Sequence, residues 1–156
     1  MTPMSARPAA SRPAVAGSGT TISVITRSRE WDVRRPVVGR SRCGVTHPKL
    51  EEVLHRDFYD FAPLRERFAG LDACFFTLGT TSAGKTEADY ARQTYDLTLA
   101  AAHEIVKASP GAVFIYVSGV GTDSTERGRV MWARVKGKTE NGSDHERRVE
   151  GDGDGL

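Results

Sequence analysis

No stretch of the 156 residues approaches the roughly 18 apolar residues a membrane-spanning helix needs, which excludes such a helix. Nor is there an apolar stretch long enough for a secretory signal. Cysteine is scarce. Cys43 and Cys74 are too few for a disulfide framework and point to a reducing, cytoplasmic setting. An excess of one charge sign is also missing. Lys and Arg number 22 against 20 Asp and Glu, so no basic surplus argues for a nucleic-acid partner. The closing Asp-Gly-Asp-Gly lacks the spaced ligands and terminal Glu of a calcium loop, and no metal site is expected.

What remains, 38% apolar and 27% charged residues, suits one soluble globular domain. The charges are unevenly spread. Residues 1–36 carry six Arg and two acids, whereas residues 142–156 carry two Arg and five acids. The first twenty residues are Pro, Ala, Ser and Gly without periodicity, a composition that cannot offset ordering entropy. Pro3, Pro8 and Pro13 oppose the amphipathic helix of a transit peptide. The expected organisation is therefore a disordered or unrelated segment over 1–36, a folded unit over 37–141, and a disordered tail over 142–156.

Within 37–141, residues 73–78 (ACFFTL) and 112–117 (AVFIYV) are continuous apolar runs, the mark of parallel strands buried on both faces. Between them, Ala91, Tyr95, Leu99, Ala102 and Val106 recur at helical spacing, predicting a helix over about 86–109 that ends at Ser109-Pro110-Gly111. Shorter strands are expected at 22–27, 37–39 and 53–57, helical turns at 61–68, and a second helix at about 127–141. Strand, helix, strand, helix implies an α/β fold with a parallel sheet.

Two nucleotide signatures compete. Residues 79–86, GTTSAGKT, fit the phosphate-loop pattern GxxxxGK[ST] after a strand and before a helix. On that reading backbone N–H groups cradle phosphate, Lys85 reaches its oxygens and Thr86 holds magnesium. The strand ending in a metal-holding acid is missing, because residues 112–117 end at Ser118.

The second signature is spread over the whole unit. VVGRSRCGVTHPKLEEVLHRDF, DACFFTLGTT, DYARQTYDLTLAAA, FIYVSGVGTDS and MWARVKGKTEN together resemble the atypical short-chain dehydrogenase/reductase superfamily, nearest its NAD-dependent epimerase/dehydratase type. The resemblance covers about two-thirds of the chain, in family order, and outweighs the eight-residue match. It implies a partial Rossmann-like parallel sheet with flanking helices, an NAD(P) cofactor and a small carbonyl or hydroxyl substrate. By resemblance, Arg40, with Arg42 nearby, meets an adenosine 2′-phosphate, favouring NADP over NAD. Asp57 faces the adenine, and Leu78, Gly79 and Thr80 lie along the adenosine half. Ser118 matches the catalytic serine, and Lys136 the lysine that holds the nicotinamide ribose.

The pattern breaks at the tyrosine of the family's Tyr-x-x-x-Lys pair, where this chain has Trp132. An indole donates a hydrogen bond but exchanges no proton near neutral pH. Weak or altered hydride chemistry is therefore expected, with Trp132 stacking on nicotinamide or substrate. The family's opening strand and GxxGxxG turn have no counterpart, since Gly17-Ser18-Gly19 lacks the third glycine. The spacing between residues 27 and 37 is too short for a helical crossover, so residues 22–27 are expected in a hairpin-like arrangement or unpaired. The implied picture is a fragment without its central strand, weakly active or inactive, whose bare sheet edge invites a homo-oligomer. A phosphate-loop protein and a non-enzymatic interaction module are the alternatives.

Overall fold

The computed structural model describes residues 21–26 and 35–151, with side chains over 36–145. Of the segments expected as tails, 1–36 and 142–156, residues 1–20, 27–34 and 152–156 lie outside the described residues. The elements are β1 (Thr21–Thr26), β2 (Arg35–Gly39), β3 (Leu50–Leu54), a 3-10 helix (Ala62–Phe68) and β4 (Leu71–Phe76). They continue with α1 (Glu87–Ala91), a π-helical turn (Arg92–Asp96), α2 (Leu97–Ala108), β5 (Val113–Tyr116) and α3 (Met131–Gly151).

The fold is mixed α/β, built on one five-stranded sheet of order β3-β2-β1-β4-β5. β2 pairs parallel with β3, and β4 parallel with β5. β1 lies between the two pairs and runs antiparallel to both neighbours. The sheet is thus not wholly parallel. Residues 27–34 are the whole connection between β1 and β2, shorter than the roughly 10–12 residues a parallel crossover needs, so the chain reverses instead. The expected gap in the middle of the sheet is filled, and by residues assigned to the segment outside the fold. The bare central edge that motivated a homo-oligomer is consequently covered; β3 and β5 each keep one unpaired edge.

Because β1 opposes both neighbours, β2, β3, β4 and β5 all point the same way. Their C-terminal ends, followed by Arg40, His55, Thr77 and Val117, gather along one margin of the sheet. Asp57 lies three residues beyond β3, which ends at Leu54 rather than continuing to the acid.

One sheet face carries the core. Val38, Val53, Cys74, Phe76 and Phe114 join Phe58, Phe61, Leu64 and Phe68 from the 3-10 region and Leu97, Ala101, Ala102 and Ile105 from α2. Among the described residues nothing buries the other face as fully, and Val113 and Ile115 of β5 and Leu54 of β3 are exposed there. The two-sided burial expected of the apolar runs is therefore realised on one side only. The 3-10 helix starts with Pro63 in its first turn, where a missing N–H costs nothing. Ser109 caps α2 and ties three elements together. Its hydroxyl donates to the Phe68 carbonyl (2.6 Å) and accepts from the Leu71 N–H (2.9 Å).

α3 passes the expected stop at Asn141 and runs to Gly151. Small residues explain the first extra turn. Gly142 lies so close to α2 that a methyl there would meet Tyr95 at 3.0 Å and Leu99 at 3.3 Å. Ser143 is buried, its hydroxyl returned to the Thr139 carbonyl (2.7 Å). A search for apolar periodicity does not see a helix that packs through glycine and serine.

Candidate functional site

At the β2–β3 end of the margin, Arg40 is exposed and its guanidinium lies over the Phe58 ring, 5.0 Å from the centroid. Phe58 itself is fully buried, so the cation rests on a fixed aromatic shelf. Asp57 accepts the Tyr59 N–H (2.9 Å) and shapes the turn that presents Phe58. His55 holds the same turn, its Nε2 bonded to the Asp60 carbonyl (2.7 Å) and its ring beside Phe58 and Phe61. Arg42, expected to assist Arg40, instead leans toward Glu52 (3.9 Å) with most of its side chain in solvent.

In the middle of the margin, Leu78 is buried, Gly79 exposed and Thr80 half-buried. The Thr80 hydroxyl accepts from the Lys85 ammonium (2.6 Å), which also donates to the Gln93 side-chain carbonyl (2.7 Å). Two backbone N–H groups of this loop are already used, Ala83 by the Thr81 hydroxyl and Lys85 by the Ser82 carbonyl. Gly84 takes a positive φ of 72°, which closes the turn. Thr86 caps α1, accepting from the Asp89 N–H (3.1 Å) while its own hydroxyl donates to Asp89. The loop that matches the phosphate pattern thus bonds to itself, and its lysine and threonine both have internal partners.

At the β5 end, Ser118 lies two residues beyond the strand, and its Oγ is buried with no hydrogen-bond partner among the described residues. The next residues fold back over α3. A methyl on Gly119 would sit 3.7 Å from the Trp132 ring and 3.9 Å from the Lys136 Nζ; one on Gly121 would sit 3.9 Å from Trp132. Trp132 and Lys136, one turn apart, share the α3 face that receives this glycine loop. The indole therefore packs on the loop backbone. The Lys136 ammonium lies over the Tyr116 ring at 5.6 Å. Burial pushes that ammonium below the ordinary lysine range, against the weaker pull of Glu140. Tyr116 is pushed well above the ordinary tyrosine range, chiefly by burial, which makes its phenol a poor proton donor.

The loop is fastened along α3 at residues 133, 137 and 141, one turn apart. The Asp123 N–H donates to the Ala133 carbonyl (3.0 Å), and Asn141 donates to the Ser124 carbonyl (2.9 Å) and to Glu126 (2.8 Å). Gly137 is in contact with the Asp123 carbonyl and has no room for a side chain. Asp123 closes the turn with bonds from Thr125 and from the Gly128 N–H, which hold its carboxyl below the usual range.

Trp132 and Lys136 share one face of α3 against the loop that follows Ser118, whereas Phe58 under Arg40 and the Gly137–Asn141 fastening had no counterpart in the sequence reading. A shallow cleft of about 430 Å³ between α1 and α3, lined by Glu87, Glu126, Arg134 and Lys138 among others, does not include Ser118, Trp132 or Lys136. Its two basic groups are engaged: Arg134 pairs with Glu87 (2.6 Å), and Lys138 lies over Tyr95 (4.6 Å). Cys43 and Cys74 are both free, and burial pushes the Cys74 thiol up to about 12. Among the described residues, no cluster of three or more His, Cys, Asp or Glu is placed to hold a metal. Among the same residues, no helix is long and apolar enough to cross a membrane. No protein-family model matches the chain, and no curated protein matches it.

Proposed function

We propose that the protein is an NADP-binding, short-chain dehydrogenase/reductase-like protein of the epimerase/dehydratase type, with weak or absent hydride-transfer activity. The observation that carries the reading is the alignment of Arg40, Leu78-Gly79-Thr80 and Ser118 along one sheet margin, behind which Trp132 and Lys136 share a helix face. In open α/β sheets, ligands bind beyond the carboxyl ends of the strands. β2 and β5 lie three strand spacings apart, roughly 14 Å, which an extended dinucleotide spans. On this reading the sheet is a Rossmann-like one with its central strand reversed.

The residues fit the two ends of the cofactor better than its middle. The Arg40 shelf suits a 2′-phosphate, and Lys136 with the orphaned Ser118 hydroxyl suits a ribose and a carbonyl or hydroxyl substrate. Among the described residues the pyrophosphate finds no glycine-rich cradle at a helix N-terminus. β1 meets this margin with its first residue, since Thr21 pairs with Gly39, so its carboxyl end lies at the opposite margin. When bound, the nicotinamide would supply hydride chemistry. Trp132 offers no exchangeable proton for it, and the raised Tyr116 phenol is no replacement.

Thermal unfolding with NADPH, NADH and Mg-ATP tests the reading. A ligand at one hundred times its dissociation constant stabilises by about 2.7 kcal/mol. NADPH should stabilise most, and Arg40→Glu should remove that preference while leaving any NADH effect. Stabilisation by Mg-ATP that Lys85→Ala abolishes would favour the phosphate loop instead. Silence toward all three nucleotides would refute the proposal in favour of an interaction module.

A further inference from the structure

Lys136 differs from the other lysines in its surroundings. Its ammonium is half-buried, and among the described residues it has no hydrogen-bond or ion-pair partner. Lys85 is bonded twice, and Lys138 lies close over an aromatic ring with its side chain exposed. Around Lys136 stand the Tyr116 face from β5, Trp132 and Glu140 one turn to either side on α3, and the bare backbone of Gly119. Glu140 is beyond ion-pair distance, and its carboxylate accepts from the Thr122 hydroxyl (3.3 Å). Gly119 presents no side chain toward the amine. Ser118, the residue before it, holds a buried hydroxyl with no hydrogen-bond partner among the described residues.

An amine with this environment is a nucleophile rather than a counter-ion. We infer that Lys136 forms a reversible Schiff base with small aldehydes or ketones where its half-buried ammonium meets the Gly119 loop. The Nζ lone pair attacks the carbonyl carbon, and the C=O π pair moves to oxygen, which takes up a proton. The nitrogen of the resulting carbinolamine sheds its extra proton; the hydroxyl then takes up a proton and leaves as water, expelled by the nitrogen lone pair, and the iminium so formed loses its N–H proton to give the imine. No oxidant or metal is needed, and water reverses the sequence. Partial burial, which lowers the lysine pKa, raises the neutral amine fraction that the attack requires. The inference does not depend on nucleotide binding.

The test is reductive trapping on the full chain, with acetaldehyde as probe and cyanoborohydride as reductant. Site-resolved mass spectrometry then gives labelling rates for Lys49, Lys85, Lys107, Lys136 and Lys138. Lys136 should label at least about tenfold faster than the exposed Lys107 and Lys138 at neutral pH, and denaturation in urea should erase the difference. Lys136→Arg should remove the fast phase and leave the slow one. Labelling of Lys136 at or below the rate of the exposed lysines in the folded chain overturns the inference.

Discussion

Removing one oxygen atom, with Ser109→Ala, should destabilise the protein more than its surface position in the sequence implies. Ser109 is buried, and its hydroxyl serves the Phe68 carbonyl and the Leu71 N–H at once. Phe68 and Leu71 are themselves buried, so water cannot replace the lost partner without opening the core. Leaving one buried polar group unpaired costs about 1–3 kcal/mol, and two sharing one site cost about 2–4 kcal/mol after local relaxation. For a chain of this size that corresponds to a fall in Tm of roughly 5–15 °C. The assay is urea unfolding at 25 °C, read by far-UV circular dichroism, with the slope m compared between the two proteins. A lower midpoint at unchanged m is the expected result. A loss below about 0.5 kcal/mol would mean that the 3-10 helix, the start of β4 and the end of α2 are not held together through this hydroxyl.

Gly137→Ala should lower the urea midpoint although alanine favours a helix by about 1 kcal/mol, because the added methyl overlaps the Asp123 carbonyl and forces the loop off α3. It should also slow the fast labelling phase of Lys136, which the same loop surrounds. Glu104 is buried and accepts from Arg65 (2.7 Å), which holds its carboxyl below the ordinary glutamate range. A depressed folded pKa gives stability that is present above the unfolded value, about 4.3, and lost as pH falls through the folded one. Between about pH 6 and pH 3, wild type should therefore lose more stability than Glu104→Gln, measured by urea midpoints; parallel losses would refute the assignment.

The expected elements that proved right share a feature: one dominant local signal. The apolar runs around Phe76 and Phe114 are strands, the periodic stretch through Leu99 is helical from Glu87 to Ala108, and Pro63 sits in the first turn of the 3-10 helix. The helix contains a π-helical turn at Arg92–Asp96, which no spacing rule announces. The elements misjudged depend on partners distant in the chain. The direction of β1 follows from a short connection, but its place between β2 and β4 is decided by a strand that comes much later. The continuation of α3 rests on Gly142 meeting Tyr95 and Leu99. In the candidate site, the shared face of Trp132 and Lys136 was legible because one helix turn sets their spacing. The Arg40 shelf was not, because Phe58 reads as an ordinary core residue and its upper face is defined only by the turn that Asp57 and His55 hold.

The reversed central strand gives the chain a timing problem during synthesis. β1 and β2 are made almost together and can pair at once, whereas β4, the second neighbour of β1, emerges much later. At roughly 5–20 residues per second, the far side of β1 waits several seconds with its backbone groups unpaired. Any strand that arrives first, from the same chain or from another ribosome, has the opportunity to take that side. The yield of correctly folded protein should therefore depend on how quickly β4 is delivered, and slower translation of the stretch between β2 and β4 should lower it.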